Sequence, residues 1–285
     1  MTDQKRADNS QQLHSPSYRL PVEDPDFLAN REELRGLRFA LEYEKADIIL
    51  RDWGVRSTII VFGSARIPSP ELAAARIAAA APGADRARAE KLGAWSRYYQ
   101  EARDFARLVS LEGGAMRPVD GMRDNVIATG GGPGIMEAAN RGAHEAGAPS
   151  IGFNITLPGE QEPNAYSTPD LTFRFHYFAM RKMHLAMRAR ALAVFPGGFG
   201  TMDELFEILT LQQTQKASPT PVVLVGEDYW NSVINFNAMI DSGLIEAADL
   251  KIFDIVNSGA EAWSALQARG LKPASAKRGP ASPKA

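Results

Sequence analysis

Residues 191–207 read "ALAVFPGGFGTMDELFE", and three signals follow one another along them. "ALAVFP" (191–196) is a short apolar run of strand length, glycines stand at 197, 198 and 200, and "TMDELFE" opens an apolar-periodic helix. A strand that turns through glycine directly into a helix is the unit of a parallel α/β sheet. The same unit recurs at "IATGGGPGIMEAAN" (127–140).

Further β-branched runs lie at "STIIVFG" (57–63), "NVIATG" (125–130), "SIGFNI" (150–155), "PVVLVG" (221–226) and "KIFDIV" (251–256), most of them separated by segments of helix length. That alternation predicts an α/β fold, a Rossmann-like open parallel sheet with helices on both faces. Residues 26–50 predict an extra N-terminal helix, and the Ala/Arg-rich stretch 71–112, interrupted at Pro82-Gly83, predicts two more helical pieces. Residues 1–20 and 271–285 are polar or rich in Ala, Pro and Lys without periodicity, so disordered tails are expected around a single domain over residues 21–270.

The chain has 285 residues, 45% of them hydrophobic and 23% charged, and its net charge of −2 gives no pull toward nucleic acid. The absence of cysteine excludes disulfides, Cys-ligated metals and thiol catalysis. No metal and no organic cofactor is expected. The first twenty residues contain no apolar signal-peptide core, and no apolar run approaches the roughly 18 residues of a membrane span, so a cytoplasmic protein without a membrane partner is expected.

In open α/β sheets a ligand sits at the carboxyl ends of the strands, where helix N-termini present N–H groups and glycine lets an anion approach the main chain. The dinucleotide pattern G-x-G-x-x-G fails, because Ile135 and Glu137 stand where its last glycine would fall. The P-loop pattern G-x-x-x-x-G-K-[ST] is absent as well, which favours a monophosphate over a dinucleotide or triphosphate. The candidate contacts are Gly130, Gly131, Gly132 and Gly134 in the first turn and Gly197, Gly198, Gly200 and Thr201 in the second. Gly63 and Ser64, in "VFGSAR" (61–66), join them. Two bland readings stand beside this one: a glycine turn can be a tight connection without a ligand, and Thr201-x-x-Glu204 fits a capping box.

"PGGFGTMDE" (196–204) resembles the P-G-G-x-G-T-x-x-E motif of the Lonely Guy family, labelled lysine-decarboxylase-like in older usage. Arg181-Lys182 stands fifteen residues before Pro196, the spacing of that family, and "GGGPGIMEAAN" is similar to its first glycine motif. The resemblance spans roughly residues 55–260, and the extension before it and the 71–112 stretch liken the chain to longer bacterial members. It implies hydrolysis of the N-glycosidic bond of a nucleoside 5′-monophosphate, a cytokinin riboside monophosphate or AMP, to free base and ribose 5-phosphate. That is the chemistry of cytokinin activation or of an AMP nucleosidase. It further implies a homodimer or larger assembly.

Carried over by position, the resemblance implies Arg181 and Glu204 as the catalytic pair and Gly197, Gly198, Gly200 and Thr201 as the phosphate turn. Lys182 is either a ligand contact or a neighbouring surface charge. A carboxylate beside C1′ suits the positive charge that builds on a ribosyl centre, as in glycoside hydrolysis, and an arginine fork suits hydroxyls or phosphate. No lysine is placed for a pyridoxal Schiff base, so decarboxylase chemistry is not expected. The competing class is a nucleotide or molybdenum-cofactor carrier that uses the same turns without hydrolysis. His184 is expected to be packed or exposed, Glu137 to approach the ligand or to cap, and Asp203 and Glu207 to complement a helix dipole. Tyr177, Met180, Met183 and Met187 form an apolar stripe suited to a second copy or to the core.

Overall fold

The protein, represented here by a computed structural model, is described over residues 8–157, 162–216 and 219–272. Residues 1–7 and 273–285, which make up much of the expected tails, lie outside the described residues. The chain divides into two units, residues 1–45 and 46–285. The first contains α1 (Ser10–Leu13), α2 (Pro25–Asn30) and the opening turns of α3 (Arg35–Asp52). The helix expected over 26–50 is therefore broken. Arg31 takes extended backbone, and the guanidinium of Arg38 donates across the break to the carbonyls of Leu28 at 3.0 Å and Arg31 at 2.6 Å.

The second unit takes in the remaining turns of α3 and then β1 (Thr58–Phe62), which leads into α4 (Pro70–Ala79), α5 (Ala84–Gly93) and α6 (Ser96–Glu112). The 71–112 stretch is thus three helices; α4 and α5 separate at residues 80–83, as expected, and a second break falls at Ala94-Trp95. Next come β2 (Val126–Thr129), α7 (Ile135–Glu145), β3 (Ser150–Ile155), β4 (Thr172–Phe175) and α8 (Phe178–Met187). The chain continues through β5 (Ala189–Val194), α9 (Phe199–Gln213), β6 (Val222–Val225), α10 (Glu227–Val233) and α11 (Phe236–Asp241) to β7 (Phe253–Val256) and α12 (Gly259–Ala268).

The strands form one seven-stranded sheet in the order β4-β3-β2-β1-β5-β6-β7, and every pairing is parallel. This is the expected Rossmann-like α/β architecture. β1, β2 and β6 are buried along their whole length, which is why they read as continuous apolar runs: helices cover both faces. One core cluster gathers Phe105, Val109, Ile135 and Trp263 from α6, α7 and α12 against Ile59, Ile127 and Val223. The other gathers Leu185, Leu205 and Trp230 from α8, α9 and α10 against Ile60, Phe153, Phe175 and Leu192. α6 and α7 pack closely, since a Cβ on Gly142 would stand 2.1 Å from the Arg103 carbonyl oxygen.

Candidate active site

From β1 the strands step outward through β2 and β3 to β4, and the chain then returns to the other side of β1 and steps outward through β5, β6 and β7. The direction reverses between β1 and β5, and the crevice beyond their carboxyl ends is where such sheets take ligands. Gly63-Ser64 follows β1 there, Pro196–Gly198 follows β5, and the turn 130–134 follows β2.

Ser64 ties these three connections together. Its N–H donates to the Pro196 carbonyl at 3.0 Å, and its own carbonyl accepts from Ile135 N at 3.1 Å. Its hydroxyl accepts from Arg66 N at 3.1 Å. Two glycines make the convergence sterically feasible. Gly134 has φ +72°, and a Cβ there would lie 2.3 Å from the Ser64 carbonyl oxygen; a Cβ on Gly197 would lie 2.1 Å from Thr201 Oγ1.

Arg181 from α8 reaches Glu204 on α9, with Nη2 donating to Oε1 at 3.1 Å. Both side chains are largely withdrawn from solvent, at 15% and 7% exposure. The pair adjoins the first glycine turn, since a Cβ on Gly130 would stand 3.8 Å from Arg181 Nη1. Burial pushes the Glu204 carboxyl above its ordinary range, against the pull of the Arg181 and Lys182 charges and with the help of Glu207 and Asp203. Arg181 Nε is a buried donor without a partner among the described residues.

The capping-box reading of Thr201-x-x-Glu204 does not hold. α9 begins at Phe199 with Gly198 in extended backbone as its N-cap, no side chain caps it, and Thr201 already lies inside the helix. Glu204 is a full turn further along, where it meets Arg181 and not an N-terminal amide.

Lys182 is held by Asp203 at 2.7 Å and Glu207 at 2.9 Å. Burial works against its charge, but those two carboxylates outweigh it and raise its pKa. His184 is packed, 1% exposed, between the rings of Phe153 and Phe175. Glu137 accepts from the Tyr99 hydroxyl at 2.7 Å. Of the apolar stripe, Met180 packs against the core, whereas Met183 and Met187 are exposed. Among the described residues no group of three or more His, Asp or Glu side chains could hold a metal ion. No helix among them is long and apolar enough to cross a membrane.

Sequence reading missed residues that support the turns from behind. The Tyr229 hydroxyl donates to the Gly197 carbonyl. Thr129, Asn140 and Asn164 hydrogen-bond to one another and to the first turn. Asn140 carried a signal, a polar residue on the apolar face of the helix after "GGGPG"; Asn164 carried none.

Residues 136–266 match the family model described as possible lysine decarboxylase. A protein of Oryza sativa subsp. japonica named as a probable cytokinin riboside 5′-monophosphate phosphoribohydrolase is 26% identical over 145 residues, half of this chain (50%) and 62% of that protein. A cytokinin riboside 5′-monophosphate phosphoribohydrolase of Arabidopsis thaliana is 27% identical over 154 residues, 51% of this chain and 64% of the relative. The chain thus spans less than two thirds of the length of these curated relatives. Among solved structures, a molybdenum cofactor binding protein of Rippkaea orientalis is 20% identical with a TM-score of 0.45, covering 75% of this chain and 98% of that one. The motif, the family model and the curated relatives agree in likening this part of the chain to the Lonely Guy family, whose older label is lysine decarboxylase.

Proposed function

We propose that the protein hydrolyses the N-glycosidic bond of a nucleoside 5′-monophosphate, AMP or a cytokinin riboside monophosphate, to free base and ribose 5-phosphate. The observation that carries this reading is the buried Arg181–Glu204 pair beside the glycine turns at the sheet's reversal point. A buried carboxylate with a raised pKa, opposite a guanidinium in a cleft, is costly to maintain for stability alone.

In this reading the phosphate lies on the α9 turn. Gly198 and Gly200 support that role: neither has a positive φ, and a Cβ on either would meet nothing within 4 Å. The fold does not require glycine there, whereas close approach of an anion to the helix N-terminus does. Arg181, whose Nε awaits an acceptor, grips ribose or phosphate oxygens and keeps Glu204 ionised. Glu204 stabilises the positive charge that develops as the C1′–N bond breaks, and it accepts a proton from the attacking water. The water oxygen bonds to C1′, and the base departs with the electron pair of the broken bond and takes up a proton. Lys182, bound by two carboxylates, orients α8 on α9 and leaves the anion to the turns.

The test is incubation with AMP and with isopentenyladenosine monophosphate, followed by chromatography for free base. Base release supports the hydrolase. Tight binding with the nucleotide intact would make the protein a carrier instead.

A further inference from the structure

Behind the first glycine turn lies a closed set of hydrogen bonds among four side chains that no motif names. The Thr129 hydroxyl donates to Asn140 Oδ1 at 2.7 Å and accepts the N–H of Gly131 at 2.9 Å. Asn140 Nδ2 donates to the Ser150 hydroxyl at 2.9 Å and the Ile151 carbonyl at 3.3 Å. Asn164 Nδ2 donates to the Gly131 and Gly132 carbonyls, both at 3.1 Å, and to Asn140 Oδ1 at 2.9 Å. Asn164 N also donates to the Gly131 carbonyl, at 2.8 Å. Thr129, Asn140 and Ser150 are fully buried, and all four polar valences of the Asn140 amide are used, so the set has one arrangement.

We propose that Asn164, supported by Asn140 and Thr129, is a positioning residue that aims the Gly131–Gly132 peptide at the substrate anion; the proposal rests on the nucleotide-binding reading of the site. In a trans peptide the carbonyl and the following N–H point in opposite directions. By holding the Gly131 carbonyl, Asn164 therefore turns the Gly132 N–H away from itself, and by holding the Gly132 carbonyl it turns a second negative dipole end out of the anion's way. Thr129 takes the Gly131 N–H and so holds Gly131 at φ +71°. That conformation allows no side chain, because a Cβ there would stand 2.3 Å from the Asn154 amide. The aim of the turn is thus set by Asn164, which precedes β4 in the chain and takes no part in the Arg181–Glu204 ion pair.

Asn164→Asp is the sharp test. It keeps the Oδ1 that accepts from Tyr166 N and Ser167 N, and it replaces the donor with an oxygen that faces three acceptors. The probe is ribose 5-phosphate, which carries the phosphate and has no base to lose, titrated calorimetrically into the wild type and the variant. We expect its Kd to rise at least about 10-fold, about 1.4 kcal/mol. We also expect faster amide exchange confined to residues 129–136, and an increase in KM for AMP with kcat within about threefold. Thr129→Val, which keeps the shape and removes both bonds of the hydroxyl, should act in the same direction if Asn164→Asp does not fold. Wild-type-like ribose 5-phosphate affinity in a folded variant overturns the proposal, as does a loss of binding that only follows a global fall in Tm. If the wild type binds ribose 5-phosphate but releases no base from AMP, the hydrolase reading falls, while the weakened binding of the variant still supports the positioning role.

Discussion

Glu204 is a carboxylate kept where burial opposes its charge, and that conflict sets its expected pH behaviour. Its folded-state pKa is raised, so the carboxyl is protonated, and the proposed base lost, as pH falls through a value above the ordinary ~4.3 of glutamate. The acid limb of kcat/KM for the best nucleotide should therefore lie above that range. A limb at or below it would remove Glu204 from the essential groups of the free protein. The same sign applies to stability: the folded state holds this proton more tightly than the unfolded chain, so ionising Glu204 costs stability as pH rises through that window. Glu204→Gln keeps the shape and loses the charge, and kcat should fall by at least about 100-fold, the scale of a lost general base. Because Glu204 does not cap α9, the Gln variant should keep its helix, and a normally folded variant with more than about a tenth of wild-type kcat would make the carboxylate structural. The motif spacing made Glu204 and Arg181 legible in the sequence. It could not separate catalyst from cap, because that depends on where α9 starts, and the extended backbone of Gly198 sets that start.

At the level of elements, the strands that read correctly carry continuous apolar runs, whether buried along their whole length like β1, β2 and β6 or only half-buried at the sheet edge like β7. β4 escaped because it is a four-residue edge strand, "TFRF", with only alternate residues buried, and a search for continuous apolar runs passes over it. α6 was grouped with the exposed α4 and α5, yet it buries Tyr98, Tyr99, Ala102, Phe105, Ala106 and Val109 as the helix that crosses from β1 to β2. Its polarity misleads because Arg and Glu line its outer face. The N-terminus of α9 offers a test of whether its glycines serve fold or ligand. Gly200 lies within the helix, where glycine costs about 0.5–1 kcal/mol relative to alanine, and a methyl there would meet no neighbour. Gly200→Ala should therefore raise the urea midpoint slightly and, if phosphate lies on this turn, weaken AMP binding at least about 10-fold, about 1.4 kcal/mol. Gly134→Ala should lose stability by about 2 kcal/mol or more, since it places a side chain at φ +72° against the Ser64 carbonyl. Unchanged AMP affinity in a stabilised Gly200→Ala protein would move the phosphate off this turn.

For the molecule as a whole, large apolar side chains are exposed on the two helices that carry the Arg181–Glu204 pair. Phe199 is 96% exposed between two glycines, Phe178 is 51% exposed with Arg181 over its ring, and Met183 and Met187 are exposed on the same helix as Phe178. Where large apolar side chains are exposed side by side, they mark interaction sites more often than they mark plain surface. The sequence showed the methionines but not which of them the core would take; Met180 went inward because it follows the face of α8 that carries His184 and Leu185 into the core. We expect a second copy of the chain to cover this face, so that light scattering at micromolar concentration reports at least a dimer. Placing a charge at the exposed Met183 should shift the assembly toward monomer, because burying that charge unpaired costs several kcal/mol, while the monomer's own fold, in which this side chain faces solvent, keeps its Tm. Phe199→Ser should act in the same direction if the aromatic ring is an anchor, since truncating an aromatic anchor at an interface commonly costs about 2 kcal/mol or more, roughly thirtyfold in the dimer constant. A monomer at micromolar concentration, or a dimer that neither substitution weakens, would leave this face without a partner copy and return Phe199 to the candidate site itself as an exposed wall for the nucleotide.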